Sequence, residues 1–435
     1  MQITIHRGSE TIGGSCVEVG SGATRLIVDL GLPLFGTDRE PLDHNQLRRQ
    51  SVEELRKGGY LPPVDGLFDS DQPAPNAILL SHAHVDHVGL LSRSREEIPV
   101  YASKGTSQMM LAGAVHARQD ALDRRRHRQL EPERTVTIGD FQVTGFPVDH
   151  SIHGSMALLL EAGGKRVLYS GDLRINHGNR PELAKRLIES VRECPIDALI
   201  MEGTLLGFGK ERTKTEQEVQ KQIAALLDDA PSLVLASFSP QNVERLRSFR
   251  LAAAETGRTF AVDEYTAMVM HLVHGDGRLP QPRQGNGIRV LYPRRCRDKA
   301  GPPESNFIQG RIAVDWIEID EVLCRPRGHL MVFRQRMLED EFQGQLPEET
   351  RLVFSYWAGY LDQPGYDPLK QALAEVGGKL ERIHASGHAP PEDLCEFVRG
   401  VRPKKLIPIH TFEPTAFEEH FDNVHGPTDG QSMEI

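Results

Sequence analysis

Four side chains able to bind metal fall within six residues in the stretch SHAHVDHVG: His82, His84, Asp86 and His87. Imidazole nitrogens and carboxylate oxygens are ordinary ligands of zinc and manganese. The run NAILL ahead of them reads as a short buried strand, so the cluster sits on the loop that this strand delivers. From such a loop His82 and His84 point one way while Asp86 and His87 turn toward a second ion, a spacing that suits a dinuclear site. The plainer reading is a histidine-rich surface loop in a chain with 18 histidines. The tight H-x-H-x-D-H order argues against it.

One loop does not saturate two ions, and other apolar runs end in further donors. His150 follows FPVD, Asp172 follows VLYSG and His410 follows LIPI. Singly, each is an ordinary polar residue at a strand end; with the cluster, they read as one rim. Glu202 closes ALIM and Asp29 closes RLIV, two carboxylates placed to accept hydrogen bonds from ligand histidines. His388, in HASGHA, suits a general acid or a donor to a phosphate oxygen, the alternative being a plain loop histidine. Ser386 in the same segment suits a terminal phosphate.

Those donors need strands to hold them. ITIHR reads as an opening strand, and CVEVG and RLIVDLG as a hairpin across GSGAT. Residues 86–95 read as a helix. TVTIGDFQVTGFPVDHS and SMALLLEAGGKRVLYSGD add strands, giving two packed sheets with helices outside. After Gly203 the pattern changes. KTEQEVQKQIAALLDDA is an amphipathic helix, SLVLASFS a strand, and Ser239–Pro240 starts a helix running to about Glu255, followed by the strand TFAVDE. Strand–helix–strand of this length is a βαβ unit and implies a parallel sheet. Residues 276–310 read as loop. HLMVFRQ and RLVFSYW are strands. Tyr356 and Trp357 at the end of the latter read as core, with stacking on a base as their other use.

Taken together, the residues resemble the metallo-β-lactamase superfamily and, within it, the β-CASP nucleases of the ribonuclease J group. VDLG with Asp29, SHAHVDH, His150, Asp172, Glu202, His388 and His410 match the motifs of that family in order, and ASFSPQNVERLRSFRLAAAETGRTFAV resembles its β-CASP segment. The resemblance implies an α/β fold: an αββα metallo-β-lactamase sandwich of residues 1–210 and 381–435, with a β-CASP domain inserted at 211–380. It implies two divalent metal ions, Zn2+ or Mn2+. His82, His84 and His150 would hold one ion, Asp86, His87 and His410 the other, and Asp172 would bridge them. Glu202 would orient His388 toward the leaving group. Asp86, Asp172, Glu202 and His388 would carry the catalysis, with Ser386 and His388 touching substrate. Histidine at 410 and glutamate at 202 go with family members that act on RNA. His153 stands where proline is common and Thr411 where glycine is common. The chain ends about 25 residues after His410, where ribonuclease J continues into a further domain.

Composition narrows the partners. A net charge of −10 speaks against a general nucleic-acid coat protein, yet local cations and bound metal can still attract phosphate. The resemblance implies single-stranded RNA as the partner, and a homo-dimer is a further expectation. Arg124, Arg125, Arg126 and Arg128, and Arg294, Arg295, Arg297 and Lys299, form two basic runs, read as solvated surface before phosphate contacts. No run of about 18 apolar residues points to a membrane span. The N-terminus lacks an apolar signal region, and five scattered cysteines support no disulfide framework, so a cytoplasmic chain is expected. The competing functions are a hydrolase of small esters, thioesters or phosphodiesters, a DNA nuclease, and a scaffold that binds metal without turnover.

Overall fold

The structure is a computed structural model. It describes residues 1–207, 213–283, 285–294, 315–426 and 428–435. The chain divides into two compact units, one of residues 1–212 and 387–435, the other of residues 213–386.

The first unit is a sandwich of two sheets. In spatial order, one sheet holds Ser432–Glu434, Gln2–Arg7, Cys16–Ser21, Thr24–Val28, Ala77–Leu79, Val100–Ser103 and His127–Leu130. The other holds Lys405–Ile409, Ala198–Glu202, Lys165–Tyr169, Met156–Ala162, Phe141–Pro147 and Thr135–Ile138. Alternation along the strands separates two cores. Val167, Tyr169, Ala198 and Ile200 face inward with Ile5, Val17, Val28 and Leu79. Leu168, Leu199 and Leu406 face the other way, toward Leu187 and Val191 of the helix Pro181–Arg192 and Leu394 and Val398 of the helix Pro391–Val401.

Strand direction sets where the donors gather. Thr24–Val28 pairs parallel with Ala77–Leu79, and Lys165–Tyr169, Ala198–Glu202 and Lys405–Ile409 are mutually parallel. Their carboxyl ends deliver Asp29, His82, Asp172, Glu202 and His410. Two of these chain exits are left-handed, Asp29 at φ 58° and His410 at φ 56°, a conformation costing roughly 1–2 kcal/mol for a residue with a side chain. The loop after Ala77–Leu79 is pinned by a second segment: Leu30 N–H donates to the His87 carbonyl at 2.8 Å and Leu32 N–H to the Val85 carbonyl at 3.0 Å. Gly31 permits that approach, because a Cβ there would lie 1.7 Å from the Asp86 carbonyl oxygen.

The second unit is a parallel sheet in the order Trp316–Glu318, Ile288–Tyr292, Thr259–Val262, His329–Val332, Val234–Ser237, Arg351–Phe354, Lys379–Arg382. Its first helix, Glu216–Asp229, opens with a capping box between Thr215 and Glu218. Inside the unit Arg245 and Glu216 form a fully buried bidentate pair at 2.7 and 3.0 Å. The same guanidinium donates to the carbonyls of Ser355 and Ala385, tying two helices to the sheet's end.

Three readings of the sequence change. The helix expected over 86–95 is only Val85–Val88, followed by a 3-10 turn at Leu91–Arg93, since Gly89 and the close packing against residues 30–32 end it. The helix expected from Ser239–Pro240 begins at Val243, capped by the Asn242 side chain on Arg245 N–H. Residues 276–310 contain the strand Ile288–Tyr292; Gly and Pro on both sides masked a run of only five residues.

Candidate metal centre

Every residue expected at the rim, from 82 to 172 and at 202, 388 and 410, falls in one cluster of the first unit. Its ligand atoms form three groups, each with members within 4.8 Å of one another: His82, His84 and His150; Asp86, His87, Asp172 and His410; and Asp172, Glu202, His388 and His410. Asp172 is common to two of them. One of its oxygens, Oδ2, lies 3.2 Å from His87 Nε2, 3.7 Å from His82 Nε2 and His150 Nε2, 3.8 Å from His410 Nε2 and 3.9 Å from His388 Nδ1.

Hydrogen bonds behind the cluster decide which nitrogen of each ring faces inward. Asp29 is fully buried. It accepts from Ser81 N–H at 2.7 Å, Ser81 Oγ at 2.6 Å, Tyr169 OH at 2.9 Å and His87 Nδ1 at 2.7 Å. The Ser81 hydroxyl gives its one proton to that carboxylate, so it accepts from His82 Nδ1 at 3.0 Å. His150 Nδ1 donates to the Gly387 carbonyl at 2.7 Å. Thr204 repeats the device: its hydroxyl donates to Glu202 Oε2 at 2.7 Å and accepts from His410 Nδ1 at 2.8 Å. With Nδ1 so engaged, the neutral rings of His82, His150 and His410 present Nε2 as a lone pair, and His87 turns its Nε2 the same way.

These inward nitrogens face other nitrogens and carboxylates. His82 Nε2 and His150 Nε2 each stand 3.1 Å from His84 Nδ1, which has at most one proton to share. His410 Nε2 is 3.1 Å from Asp86 Oδ2, and His87 Nε2 is buried with no hydrogen-bond partner. Nitrogens and carboxylates so converged, with tautomers fixed from behind, are the donor set of divalent metal sites.

The electrostatics agree. Burial and neighbouring imidazoles push His82 and His150 well below the usual histidine range, and burial takes His84 down to about 4, so all three are neutral. Burial would also lower His87, but Asp172, Asp29 and Asp86 outweigh it and raise the ring well above its usual value. Three carboxylates thus call for positive charge at this point, and a divalent ion would displace the proton they place on His87. Despite burial, the histidines hold Asp86 and Asp172 below the usual carboxylate range.

Glu202 and His388 form a side arm. Glu202 is buried, accepts from Leu173 N–H at 2.7 Å and receives His388 Nδ1 at 2.9 Å. Burial opposes charge on His388, yet Glu202 first, then Asp172 and Asp86, raise it to about 9. Ser386 is the last residue of the other unit, with Gly387 beginning the return.

Ser81, Thr204 and Tyr169 were not foreseen as partners of the site. Ser81 adjoins SHAH and Thr204 stands two residues after Glu202, but nothing in a hydroxyl's type marks it as a relay. Of the first basic run, Arg126 is structural: buried, it donates to the Ile98 carbonyl and Ser94 Oγ at 2.9 Å. Arg125 is held by Asp123 at 2.6 Å. Arg294 pairs with Asp320 at 2.6 Å, and Arg295, Arg297 and Lys299 lie outside the described residues. Trp357, read as core, is 54% exposed, while Tyr356 beside it is half-buried.

Comparison with known proteins gives the same picture. Residues 60–232 match the family model "Beta-lactamase superfamily domain", and residues 374–427 match "Zn-dependent metallo-hydrolase RNA specificity domain". Ribonuclease J of Pyrococcus abyssi is 24% identical over 433 residues, covering 93% of this chain and 88% of that protein. Ribonuclease TTHA0252 of Thermus thermophilus is 25% identical, covering 92% and 91%. Ribonuclease J of Sinorhizobium meliloti is 24% identical, covering 88% of this chain and 66% of its own length. A solved structure of a protein of unknown function from Enterococcus faecalis superposes with a TM-score of 0.79 at 23% identity, over 99% of both chains; it establishes the fold.

Proposed function

We propose, taking as premise that the chain belongs to the metallo-β-lactamase superfamily, that it is a metal-dependent ribonuclease hydrolysing single-stranded RNA. The observation that carries this reading is the convergence of four histidine Nε2 atoms on Asp172 Oδ2, with the rings oriented from behind by Asp29, Ser81, Gly387 and Thr204. The match to an RNA-specificity family segment and the ribonuclease names of the relatives supply the substrate class.

In this reading His82, His84 and His150 would hold one divalent ion and Asp86, His87 and His410 a second, with Asp172 available to both. When bound, two such ions lower the pKa of a shared water toward neutrality and neutralise phosphate charge. The chain's own part is positional. Asp29 and Thr204 keep ring nitrogens unprotonated toward the ions. Glu202 fixes the His388 ring through Nδ1 and supports its imidazolium form, in which the remaining nitrogen donates to the leaving oxygen. Ser386 contributes a hydroxyl for a phosphate oxygen. The products are a 3′-hydroxyl and a 5′-phosphate.

The test is cleavage of a 3′-labelled single-stranded RNA in Mn2+ or Zn2+, with wild type beside Asp172→Asn. Wild type is expected to cut, and the variant to lose turnover with its circular dichroism unchanged. Full RNA cleavage by Asp172→Asn would overturn the assignment. Cleavage of DNA, or only of a small phosphodiester or ester, would keep the metal chemistry and replace the substrate.

A further inference from the structure

We infer that the second unit carries a base-stacking platform for single-stranded RNA, made by Trp357 with Tyr360 at the carboxyl edge of its parallel sheet; this rests on the ribonuclease reading. Parallel α/β sheets offer ligand sites beyond the carboxyl ends of their strands. Here the strands Val234–Ser237, Thr259–Val262, His329–Val332 and Arg351–Phe354 run on into Phe238, Asp263, Arg334 and Tyr356. Arg334 locks these ends together. It donates to Asp263 at 2.8 Å, to the Phe238 carbonyl at 2.6 Å and to Tyr356 OH at 3.3 Å. The aromatic turn that follows therefore stands on a braced base.

Among the described residues the exposed large hydrophobics are Val115, at 51%, in the first unit, and Trp357 and Tyr360, at 54% and 42%, in this one. The two rings meet edge to face, 5.6 Å apart at 87°. The indole has a built seat: a Cβ on Gly359 would fall 2.3 Å from two of its ring carbons. The six-membered ring of the indole thus lies close against Gly359, with 54% of the residue still open to solvent. An exposed indole beside a tyrosine is the arrangement on which an unpaired base of any sequence stacks.

The chain has two tryptophans, which makes the test direct. Trp316→Phe leaves Trp357 as the single emitter, and Asp172→Asn in the same chain prevents cleavage. Titration with a single-stranded oligoribonucleotide is expected to quench Trp357 emission, and an abasic oligomer of equal length to leave it unquenched. Trp357→Ala is expected to weaken RNA binding about tenfold, the order of one lost base–aromatic stack, and Trp357→Phe to restore most of it. Gly359→Ala, which lifts the indole from its seat, is expected to weaken binding with the tryptophan still present. Metal content and circular dichroism control for folding. Equal quenching by the abasic oligomer, or unchanged affinity in both Trp357→Ala and Gly359→Ala, overturns the platform. RNA cleavage by wild type with a silent Trp357 refutes the platform alone, whereas no RNA binding or cleavage by wild type refutes the ribonuclease reading with it.

Discussion

At the scale of single residues, the site depends on hydroxyls and a carboxylate that touch no metal. Thr204 is the clearest case. Its one proton goes to Glu202, which obliges His410 to present Nδ1–H to it and the Nε2 lone pair to the cluster. Thr204→Val keeps the shape and removes the relay. Orienting partners of this kind are worth 10–100-fold in metal affinity, so Thr204→Val is expected to weaken metal binding at the group that holds His410 by about that factor. Competition with a chromophoric chelator measures it, and an unchanged affinity would show that packing alone orients His410. The donors that the fold brings together were legible in the sequence because H-x-H-x-D-H is dense and each further donor directly follows an apolar run. The relays were not legible, since serine and threonine at a strand end are ordinary, and their role comes from which carboxylate they happen to face.

Among the elements, the parallel strand ends of the first unit gather the donors, and the hairpin beside them keeps that sheet in register. In that hairpin Glu18 lies between His6 at 3.0 Å and Arg25 at 2.6 Å. Burial raises the Glu18 carboxyl, but His6 and Arg25 outweigh it and bring it from 4.5 down to about 2. A carboxyl depressed in the folded state stabilises above its unfolded pKa and ceases to do so as pH falls through the folded one. The urea midpoint of wild type should therefore exceed that of Glu18→Gln at pH 6, and the gap should close between pH about 4.5 and about 2. A gap that stays constant on acidification would mean the substitution acts through packing. Hairpin, strands and the βαβ pattern were readable from period and turn residues. What failed was extent: the helix after His84 is cut short by Gly89, and the cap of the next unit's second helix moved from Ser239 to Asn242, because Pro240 fits a turn as well as a first helical turn.

For the molecule as a whole, ligands are drawn from positions 82 to 410, but both tryptophans, Trp316 and Trp357, lie in the unit of residues 213–386. Metal bound at 100 times its dissociation constant stabilises the state that binds it by about 2.7 kcal/mol, or roughly 5–10 °C for a domain of this size. Chelation is accordingly expected to lower the unfolding transition followed by circular dichroism, and to leave the transition followed by tryptophan emission in place. A tryptophan transition that moves equally would mean the two units unfold as one. A second unit was visible in the sequence through the change from mixed strands to strand–helix alternation after Gly203, whereas its insertion into the first was implied only by the family resemblance. The exposure of Trp357 was not, since an aromatic pair closing a strand has the composition of a core.

The order in which a ribosome makes this chain follows from its topology. His82, His84 and His150 are all synthesised before the second unit begins, so that group of donors is complete early. The other group waits for His410, which emerges on the order of ten to fifty seconds after Asp172 at ordinary translation speeds. Through that interval the strand Ala198–Glu202 lacks the neighbour Lys405–Ile409 that later covers its edge, and an open edge of that kind invites wrong pairings. The nascent protein is therefore most exposed to misassembly while its inserted unit is still being synthesised.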